Sequence, residues 1–385
     1  MYYLIIRSPK EYLKGREIKL QKEYMERAIE LAKNGVGWTN PNPLVGAVIV
    51  KNGTIIGEGW HERIGGLHAE RNALKHCKED PKDAEIYVTL EPCCHYGKTP
   101  PCTEALIEKG IKKVYVGSMD PNPKVAGKGV RILRDHGIEV ETGVLEKQCK
   151  QLNDIFFHYI QHDVPFTALK YAMTLDGKIA TYTGESKWIT GEKAREHVHY
   201  LRHRYAAIMV GIGTVLADDP MLNARIKNGH DPIRVICDSR LRIPENSNIV
   251  KSAKEIPTII ATVSKEKEKI ERLKKAGCEV WTIEEENGHV SILPLMKRLH
   301  EKEIDSVLVE GGGILNEALI KSGCVHKVYA YIAPKLFGGK DAKTPIEGEG
   351  ISFIQDALHL ESLKTTPLGT DILLEGKVME CLPES

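Results

Sequence analysis

The 385-residue sequence has almost no net charge: 54 lysines and arginines stand against 53 aspartates and glutamates, a formal balance of +1. So balanced a chain lacks the basic footprint that duplex nucleic acid or an anionic membrane surface calls for. Aromatic residues are scarce, at 6%, which argues against a face that stacks single-stranded bases. No apolar run approaches the ~18 residues of a membrane span. Tyr2–Ile6, the nearest thing to an apolar signal core, is short and soon meets Arg7, Lys10 and Glu11. These absences point to a soluble, cytoplasmic chain with no nucleic-acid or membrane partner. What is present, 42% apolar and 28% charged residues, is ordinary for a folded protein and excludes extensive disorder. At roughly 100–200 residues per domain, the length suggests two or three domains.

The nine cysteines are odd in number and scattered. Disulfide frameworks belong to small secreted domains, so metal binding or plain burial is the better reading. Cys93, Cys94 and Cys102 lie within ten residues of one another.

Residues 1–20 are basic and patternless and are read as an N-terminal extension. Lys22 to Asn34 then shows helical spacing, with Met25, Ala28, Ile29 and Ala32 on one face and Gly35 as a stop. Leu44–Val50 and Thr54–Gly59 read as strands joined by the hairpin signal Asn52-Gly53. A helix is expected over His68–His76, strands over Glu85–Leu90 and Lys112–Gly117, and a helix from about Cys102. A final helix spans about Leu145–Ile160. The pattern restarts near Pro165. Strands are expected at Phe166–Ala172, Ala207–Gly211, Ile233–Cys237, Thr258–Ala261, Glu279–Ile283 and Ser306–Val309, and mainly strands follow His326. Alternating elements of this kind make an α/β class in both halves. The boundary falls at 162–166, giving domains over 21–164 and 165–385.

In the first half His68-Ala69-Glu70 precedes Pro92-Cys93 and Pro101-Cys102. One imidazole and two thiolates leave a fourth tetrahedral position open, as in catalytic rather than structural zinc. Water at that position has its pKa lowered to about 7. Glu70, two residues past the ligand, is placed to take the water's proton and return it to a leaving nitrogen. Zinc deaminases of nucleobases carry H-x-E…P-C-x-x-C; here eight residues, not two, separate the cysteines. A closed structural knuckle of Cys93, Cys94, His95 and Cys102 is the alternative, but it leaves His68 and Glu70 unexplained.

In the second half three strand–turn segments stand out: Leu169–Ala180 turning at Asp176-Gly177, Val210–Pro220 with Gly211 and Gly213, and Val309-Glu310-Gly311-Gly312-Gly313 before a helix Ile314–Lys321. Glycines let a backbone approach a pyrophosphate, and a helix start offers unpaired N–H groups. The dinucleotide fingerprint is incomplete, because no third glycine stands at position 216. A tight strand–helix connection explains the same glycines.

Taken together, Asn42-Pro43-Leu44-Val45-Gly46, His68-Ala69-Glu70 and the run Pro92–Cys102 resemble the deaminase half of the bifunctional deaminase–reductase family of the riboflavin pathway. The second-half segments resemble its reductase half, and the likeness covers the chain from about residue 21 to its end. Cys94 departs from the family, which usually carries Ser there. The resemblance implies a cytidine-deaminase-like three-layer α/β/α domain followed by a dihydrofolate-reductase-like α/β domain. It implies zinc on His68, Cys93 and Cys102, with Glu70 as the proton shuttle. It also implies a substrate that is a diaminopyrimidinone bearing ribose 5-phosphate, placed by Asn42, His61, Lys98, Asp120 and Asn122. NADPH then reduces the ribosyl side chain to ribityl. Ala172, Trp188, Thr214, Asp218, Ser239, Gly312 and Gly313 fall on cofactor positions. Lys170, Ser186, Arg202, Leu222, Arg225 and Glu310 fall on substrate positions. Family members form dimers or tetramers, so a homo-oligomer is expected. Read without the family, Trp188 fits core packing as well as a ligand, and Arg202 and Arg225 fit ordinary surface arginines.

Overall fold

A computed structural model describes residues 9–96, 100–123 and 125–379. Its contacts divide the chain into two compact units that part between Gln161 and His162.

The first unit opens with helix α1 (Pro9–Ala32). Residues 9–20, expected to be patternless, are therefore helical. Lys, Glu, Leu and Arg all favour helix and proline suits the first helical position, so propensity extends α1 where apolar periodicity is lacking. Strands β1 (Gly46–Lys51) and β2 (Thr54–Trp60) form the expected antiparallel hairpin. Its turn residues Asn52 and Gly53 both have positive φ, 51° and 76°, as a tight two-residue hairpin turn requires. With β3 (Glu85–Leu90), β4 (Lys113–Ser118) and β5 (Glu139–Thr142) they make a sheet of order β2-β1-β3-β4-β5, parallel from β3 to β5.

Side chains alternate cleanly across this sheet. Ala47, Ile49, Ile86, Val88, Val114 and Val116 pack with Ala73 of α2 (Ala69–Lys75), Leu106 of α3 (Cys102–Glu108) and Leu133 of α4 (Lys128–Asp135). Val48, Val50, Tyr87 and Tyr115 face the other way, onto Met25, Ala28 and Leu31 of α1 and Cys149 of α5 (Glu146–Leu152). The result is three layers, α/β/α. The single helix expected over Leu145–Ile160 is two, α5 and α6 (Asp154–Gln161). Asn153 breaks it: its side chain accepts from Leu44 N at 2.7 Å and donates to Leu44 O at 2.9 Å, pinning the Asn42–Leu44 segment.

The second unit holds a nine-stranded sheet. Its strands are β6 (Phe166–Thr174), β7 (Ala207–Gly211), β8 (Ile233–Cys237), β9 (Thr258–Thr262), β10 (Glu279–Thr282), β13 (Ser306–Val309), β14 (Lys327–Ala333), β15 (Leu360–Leu368) and β16 (Asp371–Val378). A small ribbon, β11 (Glu285–Glu286) with β12 (His289–Val290), stands apart. The order is β10-β9-β8-β7-β13-β6-β14-β16-β15, and every pair from β10 to β14 is parallel. Helices cover both faces, so the central strands are apolar on both sides: Ala207 and Met209 enter one core, Ile208 and Val210 the other. The chain crosses from β6 over to β7, runs out to β10, and returns to insert β13 between β7 and β6. Ligands of such sheets gather beyond the carboxyl ends of strands where the order reverses.

Candidate active sites

In the first unit Gly59 of β2 has no room for a side chain, since a Cβ would lie 2.3 Å from Ala73 N. That close approach of β2 to α2 sets His61, just past β2, beside His68, which caps α2 from an extended conformation. Their rings meet edge to face at 5.4 Å. Across from them Cys93 follows β3, and Cys102 is the first residue of α3. The His68 Nδ1 lies 3.3 Å from Cys93 Sγ and 3.4 Å from Cys102 Sγ, and the three donor atoms fall within 4.8 Å of one another. Zinc bonds of about 2.05 Å to nitrogen and 2.3 Å to sulfur put tetrahedral donors roughly 3.6–3.8 Å apart. The set therefore fits one zinc ion after shifts of a few tenths of an ångström.

The sulfur chemistry agrees. The Cys102 thiol, with His68 after it, pushes the Cys93 thiol down to about 4, while that same pairing and burial hold Cys102 well above the ordinary thiol range. One proton thus sits between two sulfurs, and a divalent cation is the natural replacement. Glu70, in the first turn of α2, is buried. Burial first, and the Cys93 thiolate second, push its carboxyl up to about 7.

Around this centre His61 is nearly inaccessible, and burial holds its ring below the usual histidine range. With Nδ1 3.0 Å from Leu67 O, the neutral ring donates there and accepts at Nε2 from Asn42 Nδ2, 3.2 Å away. The Asn42 carboxamide is thereby oriented, its oxygen turned from His61. Asp120 accepts from Asn122 N at 2.8 Å, and burial pushes its carboxyl up to about 6. Lys98 lies outside the described residues.

One residue that sequence reasoning missed ties these parts together. Glu91, buried and two residues before Cys93, accepts from Asp120 N (3.4 Å), Gly127 N (2.9 Å) and Val130 N (3.1 Å). It holds the Asp120–Gly127 loop and the head of α4 against the cysteine loop. A carboxylate next to Pro92-Cys93 was visible; that it would turn inward to backbone N–H groups was not. Arg71 does similar work on the other side, donating to Pro100 O and Pro101 O at 3.1 and 2.8 Å.

In the second unit the carboxyl ends of β8, β7, β13 and β6 bring together Ser239, Gly211 to Thr214, Glu310 to Gly313, and Ala172. Glu310 is the charged hub. It takes a two-point contact from Arg202 of α7 (Glu192–Arg204), Nε at 2.7 Å and Nη2 at 3.0 Å, and a third from Lys170 Nζ at 3.2 Å. Burial alone would push its carboxyl up, but the Arg202 and Lys170 charges outweigh it and hold it at about 2. The Arg202 Nη1 also donates to Asn223 O at 3.2 Å, reaching the loop that carries Leu222 and Arg225.

That loop bends through positive φ at Asp219 (39°), Leu222 (55°) and Arg225 (52°), a conformation costly for side chains with a Cβ. Leu222 is buried, whereas Arg225 is exposed, with its Nε on Asn223 Oδ1 at 2.9 Å. Thr214 and Asp218 lie on α8 (Ile212–Asp218), and Lys187 pairs with Asp218 at 3.2 Å. Trp188, next to Lys187, is 63% exposed, with the Arg195 guanidinium 4.7 Å from its ring centre. It belongs to no core. Ser186 precedes it and is half-buried. Gly313 opens α9 (Gly313–Lys321) and packs on Glu347, where a Cβ would lie 2.4 Å from Glu347 Cγ. Around Gly211, Gly213 and Gly312 a Cβ would meet nothing within 4 Å. These backbones are unobstructed at the strand ends, so phosphates can approach them closely.

Two family models match the chain: the RibD C-terminal domain over residues 165–374, and the cytidine and deoxycytidylate deaminase zinc-binding region over residues 18–118. A riboflavin biosynthesis protein RibD from Actinobacillus pleuropneumoniae is 58% identical over 360 residues, 94% of this chain and 96% of its own. One of the same name from Aquifex aeolicus is 43% identical over 92% of this chain and 98% of its own. Among solved structures, the Thermotoga maritima diaminohydroxyphosphoribosylaminopyrimidine deaminase/5-amino-6-(5-phosphoribosylamino)uracil reductase aligns with a TM-score of 0.84 at 40% identity. That match covers 94% of this chain and 100% of the other.

Proposed function

The chain belongs to the RibD family of bifunctional riboflavin-biosynthesis proteins, and on that premise we propose which residues carry its two reactions. It is a deaminase and a reductase in one chain, working with zinc and NADPH on a small-molecule substrate. We assign deamination to residues 21–164 and reduction to residues 165–385. The substrate, a phosphoribosylated pyrimidine, is 2,5-diamino-6-ribosylamino-4(3H)-pyrimidinone 5′-phosphate. The end product is 5-amino-6-ribitylaminouracil 5′-phosphate.

The observation that carries the first assignment is a buried carboxyl, Glu70, beside a closely spaced histidine and two cysteines. His68, Cys93 and Cys102 would hold the zinc, and a zinc ion there would supply the Lewis acidity that makes water nucleophilic at neutral pH. Glu70 accepts a proton as the water oxygen bonds to the ring carbon bearing the amino group, then delivers it to the departing nitrogen. A C–N bond breaks and ammonia leaves. The Asn42 oxygen, oriented by His61, accepts from the pyrimidine edge, and Asp120 and Asn122 close the same side. Lys98 serves the phosphate.

In the reductase half, bound NADPH would supply hydride chemistry for reduction at C1 of the open-chain sugar. Ala172, Trp188, Thr214, Asp218, Ser239, Gly312 and Gly313 seat the cofactor. Lys170, aimed by its 3.2 Å contact to Glu310, orients and polarises the sugar. Ser186, Leu222 and the rest of that loop border the substrate. Three of Arg202's five N–H groups are engaged by Glu310 and Asn223, so Arg225 is the freer phosphate partner and Arg202 chiefly organises the loop.

The protein works as a homo-oligomer, a dimer or tetramer. Supporting this, Ile346, Ile351, Phe353, Ile354, Leu358 and Leu363 are all exposed along one stretch that enters the edge strand β15, a surface that invites a partner. A thiolate metal site needs reduced cysteines, which favours the cytoplasm. Mass spectrometry of products with and without NADPH tests the two reactions. The deaminated pyrimidine should accumulate alone, and its two-hydrogen-reduced form should appear only when NADPH is added. Reduction without prior loss of ammonia would contradict the order.

A further inference from the structure

We propose that Tyr331, locked in place by His197, is a positioning residue of the reductase: its ring attracts Lys170 Nζ from the strand opposite Glu310 and so fixes where that nitrogen meets the sugar. This rests on the reading of Lys170 as the group that orients and polarises the sugar.

Lys170 stands on β6, the strand between β13 and β14. Glu310, directly after β13, reaches Lys170 Nζ at 3.2 Å from one side. Tyr331 of β14 approaches from the other. Tyr329 pairs with Lys170 and Tyr331 with Ala172, so strand alternation puts both tyrosines on the face that carries Lys170. Lys170 Nζ lies 5.8 Å from the centre of the Tyr331 ring, inside the roughly 6 Å over which a ring face attracts a cation. A lysine stem is long and rotatable, and one carboxylate contact leaves it free to pivot. A second contact, from the other neighbouring strand, removes that freedom.

The ring is itself held. Tyr331 is 0% exposed, and its hydroxyl lies 2.7 Å from His197 Nδ1 on α7. Burial first, and the Glu310 charge second, hold the phenol far above the ordinary tyrosine range. Burial likewise keeps His197 below the usual histidine range. The neutral imidazole therefore accepts and the phenol donates. That bond commits the hydroxyl to the helix, so Tyr331 presents its ring to Lys170 and no proton to the sugar. The same helix sends Arg202 to Glu310. Helix α7 thus secures both groups that flank Lys170.

Fluorination of the ring tests this in the full chain, supplied with deaminated pyrimidine and NADPH. Tyr331→Phe is the reference, and Tyr331→pentafluorophenylalanine keeps the ring's shape while reversing the charge of its face. From the first to the second, kcat for reduction should fall about fivefold or more, the kinetic equivalent of about 1 kcal/mol. The KM for NADPH should stay within about twofold. In chains that also carry Lys170→Met, the same fluorination should change kcat by less than about twofold, because no cation remains over the ring. A loss of equal size with and without Lys170, or no loss at all, would overturn the positioning role. Undiminished reduction by Lys170→Met alone would overturn the reading of Lys170, and this inference with it.

Discussion

Replacing Glu310 with glutamine keeps the size of the side chain and removes the one negative charge that two largely covered cations, each with 14% side-chain exposure, share. The cost can be worked from the geometry. Arg202 and then Lys170 hold this carboxyl at about 2 despite its burial, roughly 2.5 units below an exposed glutamate. At 1.36 kcal/mol per unit that is about 3 kcal/mol in favour of the ionised form, and breaking a buried pair by deleting one partner typically costs about 3–5 kcal/mol. Glu310→Gln should lose about that much at pH 7. Hydrogen exchange resolved on Ser306–Val309 and Phe166–Thr174 reads the effect within the second unit, where protection should fall by about a hundredfold or more. Adding Lys170→Met should recover part of the loss, because one stranded cation is gone. The pH dependence has a definite sign. A depressed carboxyl contributes stability above its unfolded value near 4.5 and loses it as pH falls from there toward 2. Protection within threefold of wild type would show that the triad behaves as a solvated pair, and the account of Lys170's orientation would fall with it.

Glu91→Gln sets an amide against backbone N–H donors; the KM of the pyrimidine should rise about tenfold while zinc stays at one per chain by elemental analysis. Loss of zinc together with folding would make Glu91 merely structural. Gly129→Ala would put a Cβ 2.2 Å from Pro92 O, so α4 must move off the cysteine loop, at about 1–3 kcal/mol in a melting experiment; an unchanged melt contradicts this packing. His326 is held down to about 4, mainly by burial, and its Nδ1 accepts from Thr167 N at 2.9 Å. Stability should therefore be full above pH 6.5 and fall by about 3 kcal/mol as pH drops toward 4, a slope that His326→Asn should flatten in denaturant titrations.

Strands with strict alternation or continuous apolar runs were legible in the sequence: β7, β8 and β13 have the expected bounds. The cluster of His68, Cys93 and Cys102 was legible because a metal site needs few residue types in a recognisable pattern. What escaped depends on long-range partners. The break at Asn153 exists only because Leu44, 109 residues away, offers both backbone groups. The inward turn of Glu91 depends on backbone donors 29 to 39 residues on. Arg202 falls on a substrate position by resemblance, and only the fold shows that two of its N–H groups meet Glu310, 108 residues away. The helical run of residues 9–20 escaped for the opposite reason, since propensity without periodicity marks no face.

The central claim is that Glu70 moves the proton in zinc-assisted deamination, and Glu70→Gln with metal analysis tests it most directly. The full chain should keep one zinc on His68, Cys93 and Cys102 and still reduce supplied deaminated pyrimidine with NADPH. Its ammonia release should fall about 10²- to 10⁴-fold, the usual contribution of a positioned acid–base group. Ammonia release at the wild-type rate, with zinc in place, would contradict the assignment.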